Sequence, residues 1–334
     1  MLIASTVKSY ANRWCYREPK SGKLRTFSFL ALIHPATGQV TAPLLYITGQ
    51  YQGAKMLLEG AYGDSYGLGF EFSPKEFVYK NNNLSCYVQH PNHSIIPGDY
   101  SDDTQMSLAI AEFICDEEEW TPENIAQKFV EVYKRDPIDG YASGFKGLLE
   151  EVESGQDLLN KIVPDSDKSG AAMRATPIGI YKDIPEILYK TGMQARITHN
   201  TVNGVRAALV AALAAHYFIY NIGPKAELMR WLQKYIKADW IKPYNRNVGS
   251  KGWMSVAAAL TAISQSENMS QLLQMCIAFT GDVDTVATIA MSAACWSPEI
   301  TKNLPKFLRE DLQNGPYGRD YIIRLDKRLI ALRS

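Results

Sequence analysis

Two short segments gather oxygen-bearing side chains: Ser101-Asp102-Asp103-Thr104 and Gly281-Asp282-Val283-Asp284-Thr285. Each sets two carboxylates and a hydroxyl just ahead of a predicted helix. Capping explains part of the pattern, because Ser, Thr and Asp satisfy free N–H groups and the helix dipole favours negative charge there. A cap needs one acceptor, however, and each segment offers several. Four carboxylates brought together repel unless they are protonated or neutralised by cations. All-oxygen donors suit hard cations, Mg²⁺ first and Mn²⁺ or Ca²⁺ next, and argue against a zinc site of thiolates or imidazoles. Asp282 and Asp284 would diverge on a regular helix, so they converge only in a loop that leads into one.

Other residues carry weaker signals. Gly60, Gly63, Gly67 and Gly69 surround Asp64 and precede Glu71. They read as a loop whose backbone turns sharply or approaches a ligand, with Asp64 fixing it by hydrogen bonds. The spacing is not that of a dinucleotide fingerprint. His90 and His93 form an H-x-x-H interrupted by Pro91, which prevents a helix from aligning them on a metal. His216 falls within an apolar helix and reads as a core residue. Arg174 and Arg196 are able to meet phosphates, and Tyr100 and Trp253 either stack on a base or fill core.

These residues need a scaffold of helices. Met106, Ala109, Ile110, Phe113 and Ile114 recur at helical spacing, and Thr121-Pro122 is a helix start. Further helices are predicted over 205–219, 225–236, 253–264, 269–279, 285–295 and 320–332. The first fifty residues differ. Runs at 24–34 and 40–48, separated by Pro35-Ala36-Thr37-Gly38-Gln39, predict a β-hairpin behind a basic tail. The fold class is therefore all-α and multi-helical, with a hairpin extension at 1–48 and a main domain at 49–334.

Composition sets the outer bounds. The 334 residues carry 35 Lys+Arg and 35 Asp+Glu, a formal charge of zero, so the surplus that broad phosphate binding requires is lacking. Nucleic acid is not the expected partner. Six basic residues and one acidic one up to Thr26 make a local charge of +5, which leaves −5 for the rest. Five scattered cysteines without a C-x-x-C read as reduced thiols. The apolar window 207–219 is too short to cross a bilayer. The expectation is a soluble, cytoplasmic protein that makes no use of a membrane.

Taken in order, the segments resemble the ADP-ribosylglycohydrolase family, which includes the dinitrogenase reductase-activating glycohydrolase. Gly63-Asp64-Ser65-Tyr66-Gly67 with Glu71 looks like its early Gly-Asp-x-x-Gly and following Glu. Ser101-Asp102-Asp103-Thr104 is similar to its Ser/Thr-Asp-Asp-Thr, and Ser169-Gly170-Ala171-Ala172-Met173-Arg174 to its Gly-rich Met-Arg segment. Thr198-His199 matches a Thr-His pair, and Gly281 to Thr285 its late Gly-Asp-x-Asp-Thr. Ser169 and Ala171 stand where Asn and Gly are usual, and Thr280 and Val283 replace a Gly and a Thr of the late motif. Met291 to Trp296 replaces a Gly-rich stretch, which suggests altered packing under the cleft.

The resemblance implies an all-α fold around a binuclear Mg²⁺ site, sometimes Mn²⁺, that hydrolyses the glycosidic bond at the distal ribose of an ADP-ribosylated target. Carried over by position, Ser101, Asp102, Asp103, Asp282, Asp284 and Thr285 would be the metal ligands. Asp103 or Asp284 would take a proton from water, and Glu71 would be the mobile acid at the cleft mouth. His199 and the backbone of Ser169, Gly170, Ala171 and Ala172 would contact ADP-ribose. Arginine-linked ADP-ribose on protein is the expected substrate. Two alternatives stay open: a non-catalytic ADP-ribose-binding protein, and an immunity partner that also grips an ADP-ribosyltransferase toxin. For the second, residues 1–48 offer Arg13, Trp14, Tyr16 and Arg17, types enriched at binding hot spots.

Overall fold

The computed structural model describes residues 55–333 with their side chains and, upstream, the backbone of two strands. These strands, β1 (Tyr10–Arg17) and β2 (Leu24–Ala31), pair antiparallel with Trp14 opposite Phe27. β2 falls within the first predicted run. Its partner, though, is the segment read as a basic tail, where aromatic β-formers such as Trp14 and Tyr16 stand among the charges. The second predicted run, 40–48, lies outside the described residues, as do the side chains proposed as a toxin contact. The chain divides at Ala54 and Lys55, and the second unit carries the rest.

That unit is helical, and its strand pairing among the described residues is limited to isolated bridges. Its first half runs through α1 (Met56–Leu68), α2 (Lys75–Asn81), α3 (Asp102–Cys115), α4 (Pro122–Arg135), α5 (Ser143–Glu151) and α6 (Gly155–Lys161). The short α7 (Gly170–Met173) leads to α8 (Ile184–Arg196) and α9 (Val202–Ile219). Then come α10 (Leu228–Leu232), α11 (Gly252–Gln265), α12 (Met269–Ala278), α13 (Val283–Ala294), α14 (Phe307–Glu310) and α15 (Arg319–Ala331).

Local chemistry accounts for the boundaries. Thr121 accepts from the Asn124 N–H at 3.2 Å and Pro122 opens α4, whose Ile125, Phe129, Val130 and Tyr133 are buried. Thr201 caps α9 through the Gly204 N–H at 3.1 Å, one turn ahead of the predicted start. With that turn α9 has 18 residues and is apolar enough to span a membrane by length and composition. It is instead mostly buried, as the central helix on which α7, α8, α11 and α13 pack. The predicted helix 225–236 is broken into a 3₁₀ turn at Lys225–Glu227 and the short α10. There Gln233 turns its amide onto the Ile241 carbonyl at 2.8 Å, tying down the segment that follows.

The glycines around Asp64 belong to a helix, which corrects the loop reading. Gly60, Gly63 and Gly67 recur at i, i+3 and i+7 along one face of α1, turned toward α13. A Cβ on Gly63 would stand 2.6 Å from the Ala287 carbonyl, so these residues lack side chains in order to let two helices touch. The first turn of α1 has no cap of its own. Asp326 on α15 supplies it, accepting from the Leu57 and Leu58 N–H groups at 3.0 and 2.9 Å.

Candidate active site

Two helix starts, one helix interior and the turn after α1 bring the acids together. Asp64, inside α1, accepts the Ser101 N–H at 3.0 Å, the Ser101 hydroxyl at 2.8 Å and the Thr104 N–H at 3.0 Å. It thus binds the start of α3 from outside. Ser101 caps the same helix by accepting from the Asp103 N–H at 3.2 Å. Carboxylate oxygens of Asp64, Asp103 and Asp284 then lie within 4.8 Å of one another, and so do those of Glu71, Asp282 and Asp284. Asp284 belongs to both groups. Asp282 precedes α13 as its N-cap, and the turn before it makes the convergence possible. Gly281 adopts φ +97 and lies so near the Val248 carbonyl that a Cβ would stand 1.8 Å from its oxygen. Thr280 is left-handed as well, at φ +62, a conformation that a glycine takes without strain.

The electrostatics describe a site built to hold positive charge. Burial pushes the Asp103 and Asp284 carboxyls well above the ordinary carboxylate range, and the leading charges acting on both come from other carboxylates. Asp102 is pushed up to about 8, by burial first and then by Asp64 and Glu71. Glu71 rises to about 7, by burial and then by Asp282 and Asp64. Asp282 is raised by burial against the pull of hydrogen bonds, among them the Ser255 hydroxyl at 2.8 Å. Asp284 Oδ1 is buried without a hydrogen-bond partner. An orphaned, buried carboxylate oxygen among oxygen-only donors fits a hard divalent cation.

A cleft of about 940 Å³ opens on these acids. Asp102, Asp103, Asp282, Asp284, Thr285 and Glu71 line it, as do Ser169, Gly170 and His199. His199 is held through a buried chain of hydrogen bonds. Arg174, itself 1% exposed, donates to the Thr198 hydroxyl at 2.7 Å, and that oxygen lies 2.6 Å from His199 Nδ1. A guanidinium only donates, so the Thr198 hydrogen is free to point at Nδ1. With the Thr198 hydroxyl donating to Nδ1, the ring proton of His199 lies on Nε2, which is buried without a protein partner. Burial, then Arg174 and Lys168, lower its pKa to about 3, so it stays neutral.

The other sequence-derived candidates divide clearly. Ser101 stands behind the acids with Asp64 and is not part of the cleft wall. Ala171 and Ala172 are fully buried; the Ala171 methyl adds no bulk to the wall, and its carbonyl is taken by the Gln194 amide at 3.0 Å. Tyr100 is core, and Trp253 packs against Trp240 and Tyr244. His216 is core beneath Tyr220 and Trp231. Arg196 is exposed at the end of α8, away from the cleft. Cys86, Cys115, Cys276 and Cys295 are free.

Three contributors went unread in the sequence. Asp64 belongs to the carboxylate group as well as to the scaffold. Ser255, on α11, has no motif around it. Gly140, at φ +112, leaves room for Asp102, since a Cβ would meet its Oδ1 at 2.9 Å. The glycine spacing Asp139-Gly140-Tyr141-Ala142-Ser143-Gly144 carried the only hint of this wall.

The ADP-ribosylglycohydrolase family model matches residues 52–334. ADP-ribosylhydrolase ARH3 of Xenopus tropicalis is 24% identical, over 58% of this chain and 72% of that protein. Human ADP-ribosylhydrolase ARH3 is 30% identical, but over 35% of this chain and 34% of that protein. The ADP-ribosylarginine hydrolase Tri1 of Pseudomonas putida is 22% identical, over 70% of this chain and 67% of that protein. Among solved structures, a chain of an ADP-ribosylglycohydrolase-related protein complex superposes with a TM-score of 0.66 at 20% identity. That match covers 84% of this chain and 97% of the other, and is a likeness of fold.

Proposed function

The chain belongs to the ADP-ribosylglycohydrolase family, hydrolases that act on ADP-ribose, and we propose that it frees ADP-ribose from ADP-ribosylated arginine on protein in the cytoplasm. The observation that carries the reading is the shared position of Asp284 between two carboxylate groups, both bordering the cleft. It supports two adjacent divalent cations, Mg²⁺ or Mn²⁺, one near Asp64 and Asp103 and one near Glu71 and Asp282. Asp102 and Thr285 complete the donors available from the wall, and Ser101 serves chiefly to hold Asp64 and Asp103. Bound cations would supply Lewis acidity, polarising ribose hydroxyls and making a nearby water more acidic.

The chain's own residues supply the rest. Asp103 or Asp284 accepts a proton from the attacking water, whose oxygen joins the anomeric carbon of the distal ribose. The bond from that carbon to the acceptor nitrogen breaks through an oxocarbenium-like transition state. Glu71, which lines the cleft beside Asp282 and Asp284, hands a proton to the departing nitrogen. His199 donates from Nε2 to an oxygen of the bound ADP-ribose, and Gly170, whose Cβ would lie 3.0 Å from the His199 ring, keeps side-chain bulk off that ring. The test is metal-dependent release of ADP-ribose from arginine-, serine- and nucleic-acid-linked substrates. Release from arginine with Mg²⁺ supports the reading, and equal release after chelation overturns it.

A further inference from the structure

His90 came out of the sequence as half of an unconvincing metal pair, and the structure gives it a different position. The residue is 5% exposed. Its Nδ1 accepts the backbone N–H groups of Asn92 and His93 at 3.0 and 3.1 Å. A ring nitrogen that accepts two N–H groups carries the lone pair, so the proton sits on Nε2. That nitrogen lies 2.7 Å from the Glu71 carbonyl oxygen and donates to it.

The other end of the same peptide group is also held. The Phe72 N–H donates to the Gly281 carbonyl at 2.8 Å. The Glu71–Phe72 peptide is thus clamped between the loop after α2 and the turn that delivers Asp282 and Asp284. Phe72 is left-handed at φ +47, a conformation rare for a bulky residue, and two anchors hold it there. The Glu71 carboxylate that this peptide carries lies within 4.8 Å of those of Asp282 and Asp284.

We propose that His90 is a positioning residue of the hydrolysis, anchoring, through its hydrogen bond to the Glu71 carbonyl, the backbone from which the mobile Glu71 carboxyl reaches Asp282 and Asp284. This rests on the reading of Glu71 as the acid that serves the leaving group. Misplacing a reacting group by about 1 Å costs up to about a hundredfold in rate, whereas the cations, held mainly by other residues, should bind much as before.

Two substitutions separate this role from simple support of the 90–93 loop. His90→Asn keeps an acceptor at the Nδ1 position for the loop N–H groups but cannot reach Glu71. His90→Gln places an amide N–H near the Nε2 position. The expected result is a His90→Asn protein that keeps its Mg²⁺ affinity within about threefold and its KM, yet loses kcat roughly tenfold to a hundredfold. His90→Gln should recover most of the loss. In a Glu71→Gln background, His90→Asn should cost no more than about a further twofold, because both changes act through one group. Faster exchange of the Phe72 amide in His90→Asn, returning close to wild type in His90→Gln, gives a readout that needs no turnover. Wild-type kcat in His90→Asn beside a defective Glu71→Gln would overturn the proposal, as would fully additive losses. Wild-type turnover in Glu71→Gln alone would overturn the reading of Glu71, and the proposal with it.

Discussion

Gly67 and Asp284 meet backbone to backbone: a Cβ on Gly67 would stand 2.4 Å from the Asp284 Cα and 2.8 Å from its nitrogen. The acid shared by both carboxylate groups is therefore seated by the absence of a side chain on another helix. Gly67→Ala should force α13 away from α1, at about 1–3 kcal/mol for overpacking. Thermal unfolding should show that loss, and calorimetry should show weakened Mg²⁺ binding. Gly315→Ala, with nothing within 4 Å of its Cβ, is the comparison and should stay within about 0.5 kcal/mol of wild type.

Asp284→Asn should have opposite effects with and without metal. It removes one of several buried like charges, so the metal-free variant should melt above the metal-free wild type. Wild type should gain about 2.7 kcal/mol at a Mg²⁺ concentration a hundred times Kd, a gain the variant should lack. Melting curves in EDTA and in Mg²⁺ check both signs, and a wild-type Mg²⁺ shift in the variant would contradict the placement of the cations. Asp102→Ala combined with Asp103→Ala should abolish metal binding and turnover together.

How much of this could be read beforehand follows from how each residue acts. Asp102, Asp103, Asp282 and Asp284 stand in short local motifs, and a motif survives in one dimension. The helices were legible for the same reason, because apolar spacing and caps such as Thr121 are local. Gly60, Gly63 and Gly67 were misread because glycine has the same appearance whether it turns a chain or admits a neighbour, and the neighbour, α13, is remote in sequence. Ser255 and Gly140 act through single long-range contacts with no pattern around them. In β1, positive charge drew attention away from the alternation of β-forming residues.

Thr198→Val should uncouple Arg174 from His199. Without the hydroxyl hydrogen, Nδ1 loses its donor, and ¹⁵N spectra of the imidazole should change from one tautomer to a mixture. One lost orienting hydrogen bond is worth about 1 kcal/mol, so KM should rise roughly fivefold to tenfold. Thr198→Ser should restore both the spectrum and KM. Since His199 lies at about 3, its protonation should contribute no acid limb to activity above pH 5.

Glu59, on the first turn of α1, should make stability fall with rising pH. Its carboxyl is pushed from 4.5 to about 7, by burial first, with Lys302 pulling the other way, and its Oε2 has no partner. Between these values the folded protein holds a proton that the unfolded chain has released. Its favourable contribution is therefore complete below about 4.5 and is lost as pH rises through about 7. The full difference is up to about 3 kcal/mol. Glu59→Gln should flatten denaturant midpoints across that window and exceed wild type at pH 8.

The Asp326 cap gives the protein a timetable. Leu57, which it caps, is synthesised 269 residues before Asp326. Until α15 emerges from the ribosome, the helix that carries Asp64 and abuts Asp284 has an open first turn. Every acid in the cleft will by then have been translated. A nascent chain should therefore hold all its catalytic groups and remain inert, acquiring its cations only when the last helix docks.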